Sequence, residues 1–249
     1  MKVGKPAPGP AASLEQVRLD FPEPLLPGRL VRRFKRFLAE VDLADGRRVL
    51  AHCPNSGSML GCQDEGAPVY LSHHPAANRR TAHTWEMIHI GGGWVGINTA
   101  LPNRLVALAA QRRALPCFAD ALEVRREVKV SPHSRLDLLV RREQGPLYVE
   151  VKNVTLVREG RALFPDAVTT RGAKHLEELM ALKAAGQQAA MVYLVQRGDA
   201  DSFAPAAAID PTYARLLAQA LAAGVEAWVV QATVSPQGVG LWRLLPLEV

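Results

Sequence analysis

The chain is 249 residues long, 48% hydrophobic and 22% charged, with a mean hydropathy near zero. Those proportions are typical of a globular protein and argue against a disordered chain or a membrane protein. Thirty Lys and Arg against 24 Asp and Glu leave a net charge of +6, which permits an anionic partner without naming one.

The opening stretch MKVGKPAPGPAASLEQ is rich in Pro, Gly and Ala and predicts a disordered tail over residues 1–20. It lacks the apolar segment of a signal peptide, and no apolar run reaches the ~18 residues of a membrane span. Cys53, Cys62 and Cys117 cannot all pair within one chain, and their spacing fits no zinc knuckle. The expectation is a reduced, cytoplasmic protein with no membrane partner.

Residues 21–98 read as short strands broken by turn chemistry. Arg29–Asp42 is extended, the turn Ala44-Asp45-Gly46 follows, and Arg47–His52, Ala67–Ser72 and Trp94–Ile97 are further strands. So many short strands in so few residues predict a small barrel, an OB-like barrel being one solution. Within it Val31-Arg32-Arg33-Phe34-Lys35-Arg36-Phe37 interleaves basic and aromatic residues. Arg32, Arg33, Lys35 and Arg36 could follow a phosphate backbone while the rings stack on bases. The alternative is a strand with Phe34 or Phe37 in the core and snorkelling arginines outside. The neighbouring His52-Cys53 is no nucleophile–base pair, because adjacent strand residues point to opposite faces.

Residues 99–249 alternate helices with strands, the pattern of a mixed α/β domain. Helices are predicted at Leu105–Leu115, Val168–Lys183 and Pro211–Ala223, and strands at Val124–Val130, Ala189–Val195 and Val225–Val234. Between them lies a hairpin, Leu136–Val140 and Leu147–Lys152, joined by Glu143-Gln144-Gly145-Pro146. A turn centred between Glu143 and Gln144 sets Asp137 opposite Glu150, Arg135 opposite Lys152 and Val140 opposite Leu147. One face then carries Leu136, Leu138, Val140, Leu147, Val149 and Val151. The other carries Arg135, Asp137, Leu139, Tyr148, Glu150 and Lys152.

Facing carboxylates repel, and a divalent cation between Asp137 and Glu150 would turn that repulsion into attraction. Mg²⁺ or Mn²⁺ suits such oxygen ligands and keeps waters able to attack a phosphate. Lys152 returns to the same face and can steady the attacking water or the developing charge. The plain alternative is a solvated polar face on a half-buried hairpin, and a one-residue slip would abolish the pairing. On the following helix Arg171, Lys174 and His175 fall at i, i+3 and i+4 and could hold a phosphate. An exposed polar face with a stray histidine is the other reading.

Taken in order, these residues resemble a family. Pro24–Leu38 (PLLPGRLVRRFKRFL), His52–Gly61 (HCPNSGSMLG), Thr84-Trp85-Glu86, Asn98–Leu105 (NTALPNRL), Ser134–Leu138 (SRLDL), Tyr148–Asn153 (YVEVKN) and Phe164–Leu179 (FPDAVTTRGAKHLEEL) are similar to the sugar fermentation stimulation protein A family. The resemblance implies an α/β (α+β) protein: an N-terminal OB-fold domain followed by a domain like the PD-(D/E)-x-K nucleases. It also implies DNA binding linked to regulation of sugar-utilisation genes. The nuclease-like signature falls on Asp137, Glu150 and Lys152. The chain departs from that pattern twice. Leu136-Asp137 stands for the usual Pro-Asp, and Leu105–Leu115 lacks the carboxylate many such nucleases carry on a preceding helix, leaving Glu127 as the nearby substitute.

Three functions remain open at this point. The first is a DNA-binding regulator that contacts the phosphate backbone. The second is a Mg²⁺- or Mn²⁺-dependent phosphodiesterase on DNA or RNA. The third is a carbohydrate or small-ligand module, which the basic charge disfavours. Without a helix-turn-helix or zinc finger, little direct base readout is expected. Cutting both strands would favour a homodimer.

Overall fold

The computed structural model describes residues 11–74, 80–131 and 134–249. After a 3₁₀ turn at Leu14–Gln16 comes a short strand, β1 (Arg18–Asp20). The barrel follows, built from β2 (Leu26–Phe34), β3 (Leu38–Leu43), β4 (Arg48–His52), β5 (Pro68–His73), β6 (His83–Ile90) and β7 (Gly93–Gly96). Their order is β4-β3-β2-β5-β6-β7, and a parallel pairing of β4 with β6 (Ala51↔His83, His52↔Thr84) closes the sheet on itself. Closure removes the open edges that a small antiparallel sheet would otherwise present. Period-two alternation fills the interior: Ala39, Val41 and Leu43 point inward from β3, meeting Leu30, Leu71, Trp85 and Ile88. The barrel is therefore OB-like, as expected.

The second half is a seven-stranded sheet ordered β1-β16-β15-β13-β10-β9-β8. Its strands are β8 (Ala121–Ser131), β9 (Ser134–Arg142), β10 (Gly145–Val154), β13 (Gln188–Val195), β15 (Glu226–Ser235) and β16 (Gly238–Leu244), with β1 at one edge. Pairs β10–β13 and β13–β15 are parallel, and the flanking pairs are antiparallel. Helix α1 (Leu101–Gln111) covers one face, packing Leu105, Val106 and Ala109 in one core with Leu138, Val140, Leu147, Val149 and Val151. Helices α2 (Thr170–Ala184) and α3 (Pro211–Ala222) cover the other, with Leu176, Leu179, Tyr213 and Leu217 beside Met191, Tyr193 and Val195. Central β13 is apolar on both faces for this reason. A small sheet of β11 (Leu156–Arg158), β12 (Arg161–Phe164) and β14 (Ser202–Pro205) completes the fold. Among the described residues no helix is long and apolar enough to cross a membrane.

The caps explain where α2 and α3 begin. Thr169 Oγ1 accepts the Gly172 amide at 3.0 Å, and Asp210 Oδ1 accepts the Tyr213 amide at 2.9 Å. The other Asp210 oxygen accepts the Thr169 amide at 2.9 Å, so one carboxylate ties both helix starts together.

Two expectations are corrected, and one strand is added. Residues 1–10 of the expected tail lie outside the described residues, but the tail does not extend to Asp20. Val17 is fully buried, and β1 pairs with β16 through Arg18↔Gly240. The apolar alternation Val17, Leu19, Phe21, obscured by the Pro- and Gly-rich approach, docks this segment on the distant C-terminal strand. Strand β6 lacked a sequence signal because Glu86 breaks its apolar run. In the fold Glu86 is buried, accepting from Ser72 Oγ at 2.6 Å and Asn98 Nδ2 at 2.8 Å. Leu136 leaves the apolar face assigned to it and packs in the core of α2 and α3.

Candidate active site

The hairpin register is the one the turn chemistry predicts. Leu147 faces Val140, and the ladder runs to Val149↔Leu138. The ladder ends there, one step before Asp137 and Glu150. A backbone group beyond that parting finds a side-chain partner instead: the Val151 amide donates to Asp137 Oδ2 at 2.8 Å. Asp137 Oδ1 accepts from Asn103 Nδ2 on α1 at 2.6 Å. The helix that was expected to offer no carboxylate thus offers an amide, and it binds the first acid of the site. Asn103 went unnoticed in the sequence because it precedes the predicted helix Leu105–Leu115, which in the fold begins at Leu101. Glu127 lies outside the cleft, exposed on β8 with a left-handed backbone (φ 53).

Behind the hairpin, β10 alternation turns Glu150 and Lys152 toward α2. Lys152 Nζ donates to Glu150 Oε1 at 2.6 Å and lies 3.0 Å from His175 Nδ1. His175 Nδ1 also contacts Glu150 Oε1. Side-chain exposure is only 4% for Glu150, 5% for His175 and 12% for Lys152, so water screens this triangle poorly. Burial pushes the Asp137 carboxyl up to about 6, and the Glu150 charge adds to the rise. Burial acts the same way on Glu150, but the His175 hydrogen bond and the Lys152 charge overcome it and hold that carboxyl below its usual range. One acid is therefore firmly ionised and its neighbour is poised. Glu150 Oε2 is buried with no hydrogen-bond partner.

That orphaned oxygen, beside a second carboxylate that repels it, fits a hard divalent cation. Asp137 and Glu150 are the residues that would hold it. No group of three or more His, Cys, Asp or Glu among the described residues could hold a metal. Such a donor set suits Mg²⁺-type binding through one or two carboxylates with water filling the rest, and not a closed zinc site.

The site opens into a cleft of about 780 Å³ whose opposite wall is the barrel. Arg33, Arg36 and Asn55–Ser58 line the barrel side; Asn103, Asp137, Glu150, Lys152 and Arg171 line the other. The two walls are joined directly. Ser58 Oγ donates to the Asp166 carbonyl at 2.6 Å, and the Met59 amide donates to Asp166 Oδ2 at 2.8 Å. Gly57 is needed at this junction, since a Cβ would sit 2.8 Å from the Asp166 carboxylate.

The remaining basic residues separate into distinct roles. Arg32 forms a two-pronged pair with Glu40 and lies 5.0 Å over the Phe34 ring. Arg33 donates to the carbonyls of Asn55, Gly57 and Arg36, so it fixes the cleft-wall loop. Lys35 and Arg36 are exposed on the β2–β3 turn, both with left-handed backbones. Arg171 joins Arg36 in the cleft, whereas Arg135 is exposed outside it. Lys174 is exposed 3.8 Å from Glu178, and His175 is buried beneath the acids. The helical trio Arg171, Lys174 and His175 is thus not one cluster, because one turn of α2 separates the cleft from the core. Neither Phe34 nor Phe37 enters the barrel core. All three cysteines are buried free thiols, and burial pushes Cys62 up to about 11.

Comparison with known proteins agrees with this architecture in both halves. Residues 31–97 match the family model described as SfsA N-terminal OB domain, and residues 100–238 match the Sugar fermentation stimulation protein RE domain. The chain belongs to the sugar fermentation stimulation protein family. A sugar fermentation stimulation protein homolog of Rhodospirillum centenum is 53% identical over 230 residues, covering 92% of this chain and 99% of the relative. Another, from Geobacter sulfurreducens, is 50% identical over 91% of this chain and 97% of its own. A solved structure described as Pyrococcus furiosus SfsA in complex with Ca²⁺ superposes with a TM-score of 0.86 at 27% identity, covering 96% of this chain and all of that one.

Proposed function

We propose that this protein binds DNA in the cleft between barrel and sheet and hydrolyses a phosphodiester there with the help of Mg²⁺ or Mn²⁺. The observation that carries the reading is the Asp137–Glu150 pair, with its orphaned Glu150 Oε2 beside Lys152, at the base of a cleft lined by arginines from both walls. A neighbour of the same fold is described as binding Ca²⁺, another hard divalent cation.

When bound, the cation would lower the pKa of a water and offset negative charge on the phosphate. The chain's own residues do the rest. Arg36 and Arg171 hold the backbone from opposite walls. Asn103 and the Val151 amide fix the Asp137 carboxylate, while His175 and Lys152 fix that of Glu150. Lys152 Nζ, held at the acids, presents positive charge where the phosphate oxygens gain negative charge. Hydrolysis adds a water oxygen to phosphorus, breaks one P–O bond, and leaves the departing sugar oxygen to take a proton.

Labelled DNA and RNA incubated with Mg²⁺ or Mn²⁺, with and without chelator, test this. Cleavage should require the metal. It should fall ~10²–10³-fold in Lys152→Ala, the scale of losing one charge-stabilising group, and vanish in Glu150→Ala. Cleavage equal in all three proteins overturns the reading. A second reading is a DNA-binding regulator of sugar-utilisation genes without hydrolysis. It is favoured by the amide of Asn103 standing where nuclease-type sites carry a third carboxylate. DNA binding with no metal-dependent cleavage would select it.

A further inference from the structure

We infer that the cleft takes single-stranded nucleic acid, its bases resting on Phe37 and its backbone passing between Arg36 and Arg171; this rests on the nucleic-acid reading above. The argument begins with depth. A phosphate must reach Glu150 and Lys152, whose side chains are 4% and 12% exposed at the base of the cleft. The cleft, about 780 Å³, is on the scale of a drug-sized ligand site of ~300–1,000 Å³. A flexible single strand can bring one phosphate to that depth, whereas a B-form duplex, with a major groove alone ~12 Å wide, would have to be distorted to do so. Such bending of a site of roughly 20–30 bp costs about 1–6 kcal/mol, a cost that a single strand does not bear.

The walls have little freedom to widen. On the barrel side Arg33 clamps the carbonyls of Asn55 and Gly57, and Asn55 Oδ1 accepts the Gly57 amide at 2.8 Å. The loop is then fastened to the opposite wall through Ser58 and Met59 onto Asp166, with no room for a side chain at Gly57. Opening the cleft to admit a double helix would break these bonds together.

The mouth carries what a single strand needs. Phe37, 47% exposed, follows Arg36 in the turn, and its carbonyl accepts the Cys53 amide at 2.8 Å, which seats it at the start of the cleft-wall loop. Across the cleft, Val168 lines the wall and is 73% exposed. An exposed ring next in sequence to a cleft-lining arginine, and an exposed aliphatic on the facing wall, serve unpaired bases, which stack regardless of sequence. Neither Arg36 nor Arg171 makes an ion pair among the described residues, so both are available to phosphates.

The test uses the full chain with fluorescent oligonucleotides of one sequence as single strand, blunt duplex and splayed fork, read by anisotropy in Ca²⁺ and by cleavage in Mg²⁺. The single strand should bind at least tenfold more tightly than the blunt duplex, and fork cleavage should fall in the unpaired arm. Phe37→Ala should weaken single-strand binding roughly 5- to 100-fold, the value of one stacked base, with duplex binding and melting temperature unchanged. Phe37→Trp should retain single-strand binding. Equal or tighter duplex binding, or equal losses in Phe37→Ala and Phe37→Trp, overturns the inference while leaving nucleic-acid binding standing. Binding of neither form overturns both.

Discussion

Asp137→Asn replaces the poised acid with a neutral isostere, and its effect on stability should depend on pH in a defined direction. Asp137 has its carboxyl pushed from 3.8 up to about 6 by burial and by Glu150. The folded protein therefore holds that proton more tightly than the unfolded chain. Ionising Asp137 costs folding free energy, and the cost grows as pH rises from about 4 to about 6, then levels off. At about 1.4 kcal/mol for each pH unit by which the carboxyl is raised, the full cost is about 3 kcal/mol. Because the unfolded acid is already half ionised at pH 4, the change between pH 4 and pH 8 is roughly 2–3 kcal/mol. The Asn variant carries no such cost. It does lose good geometry toward either Asn103 or the Val151 amide, but that loss is the same at every pH. Urea denaturation of parent and variant at pH 4, 5, 6, 7 and 8 separates the two effects. Relative to the parent, the variant should gain roughly 2–3 kcal/mol across this range, whatever its absolute offset. A difference that stays flat with pH, or falls as pH rises, would refute the placement of a buried, charge-stressed carboxyl beside Glu150.

Three further outcomes follow from the same geometry. Saturating Mg²⁺ or Mn²⁺ at 100 times Kd should raise parent stability by about 2.7 kcal/mol; chelator should reverse it, and the Asp137→Asn melting temperature should barely respond. Tyr193→Phe leaves the buried Tyr213 hydroxyl without its 2.6 Å partner, which should cost about 1–3 kcal/mol, whereas the double Tyr193→Phe/Tyr213→Phe chain should recover most of it in thermal melts. Asp166→Ala strands the Met59 amide and removes one of the bonds between barrel and sheet, leaving that of Ser58 to the residue 166 carbonyl, so it should cost about 1–3 kcal/mol and speed proteolysis within Asn55–Cys62; an unchanged digestion pattern would show that this bond is dispensable.

Legibility in the sequence varied with the range of the interaction that decided each feature. The hairpin register was readable because a four-residue turn and alternating Leu and Val set it locally, and Leu147↔Val140 sits as the turn predicts. Helices α2 and α3 were readable from their period, within one or two residues at each end. The buried role of His175 was not, since a histidine beside two helix cations looks like one more exposed group until β10 is packed beneath it. Asn103 was equally silent, because its partner Asp137 lies 34 residues away. Arg33 looked like a phosphate contact, and only the fold of the Asn55–Ser58 loop shows its guanidinium committed to backbone carbonyls.

The amino-acid sequence by itself determined the two-part architecture, the small barrel, the family, and the hairpin register that brings Asp137 and Glu150 near one another. Alternation and turn residues act over a few residues, and the motifs need only be read in order along the chain. Only the tertiary structure decided that β1 belongs to the far sheet, that α1 supplies an amide to the first acid, and that barrel and sheet share one fastened cleft. Those outcomes depend on contacts between segments far apart in the chain, such as Arg18↔Gly240. Burial and partner geometry choose among many chemically similar side chains there, and no local pattern records that choice.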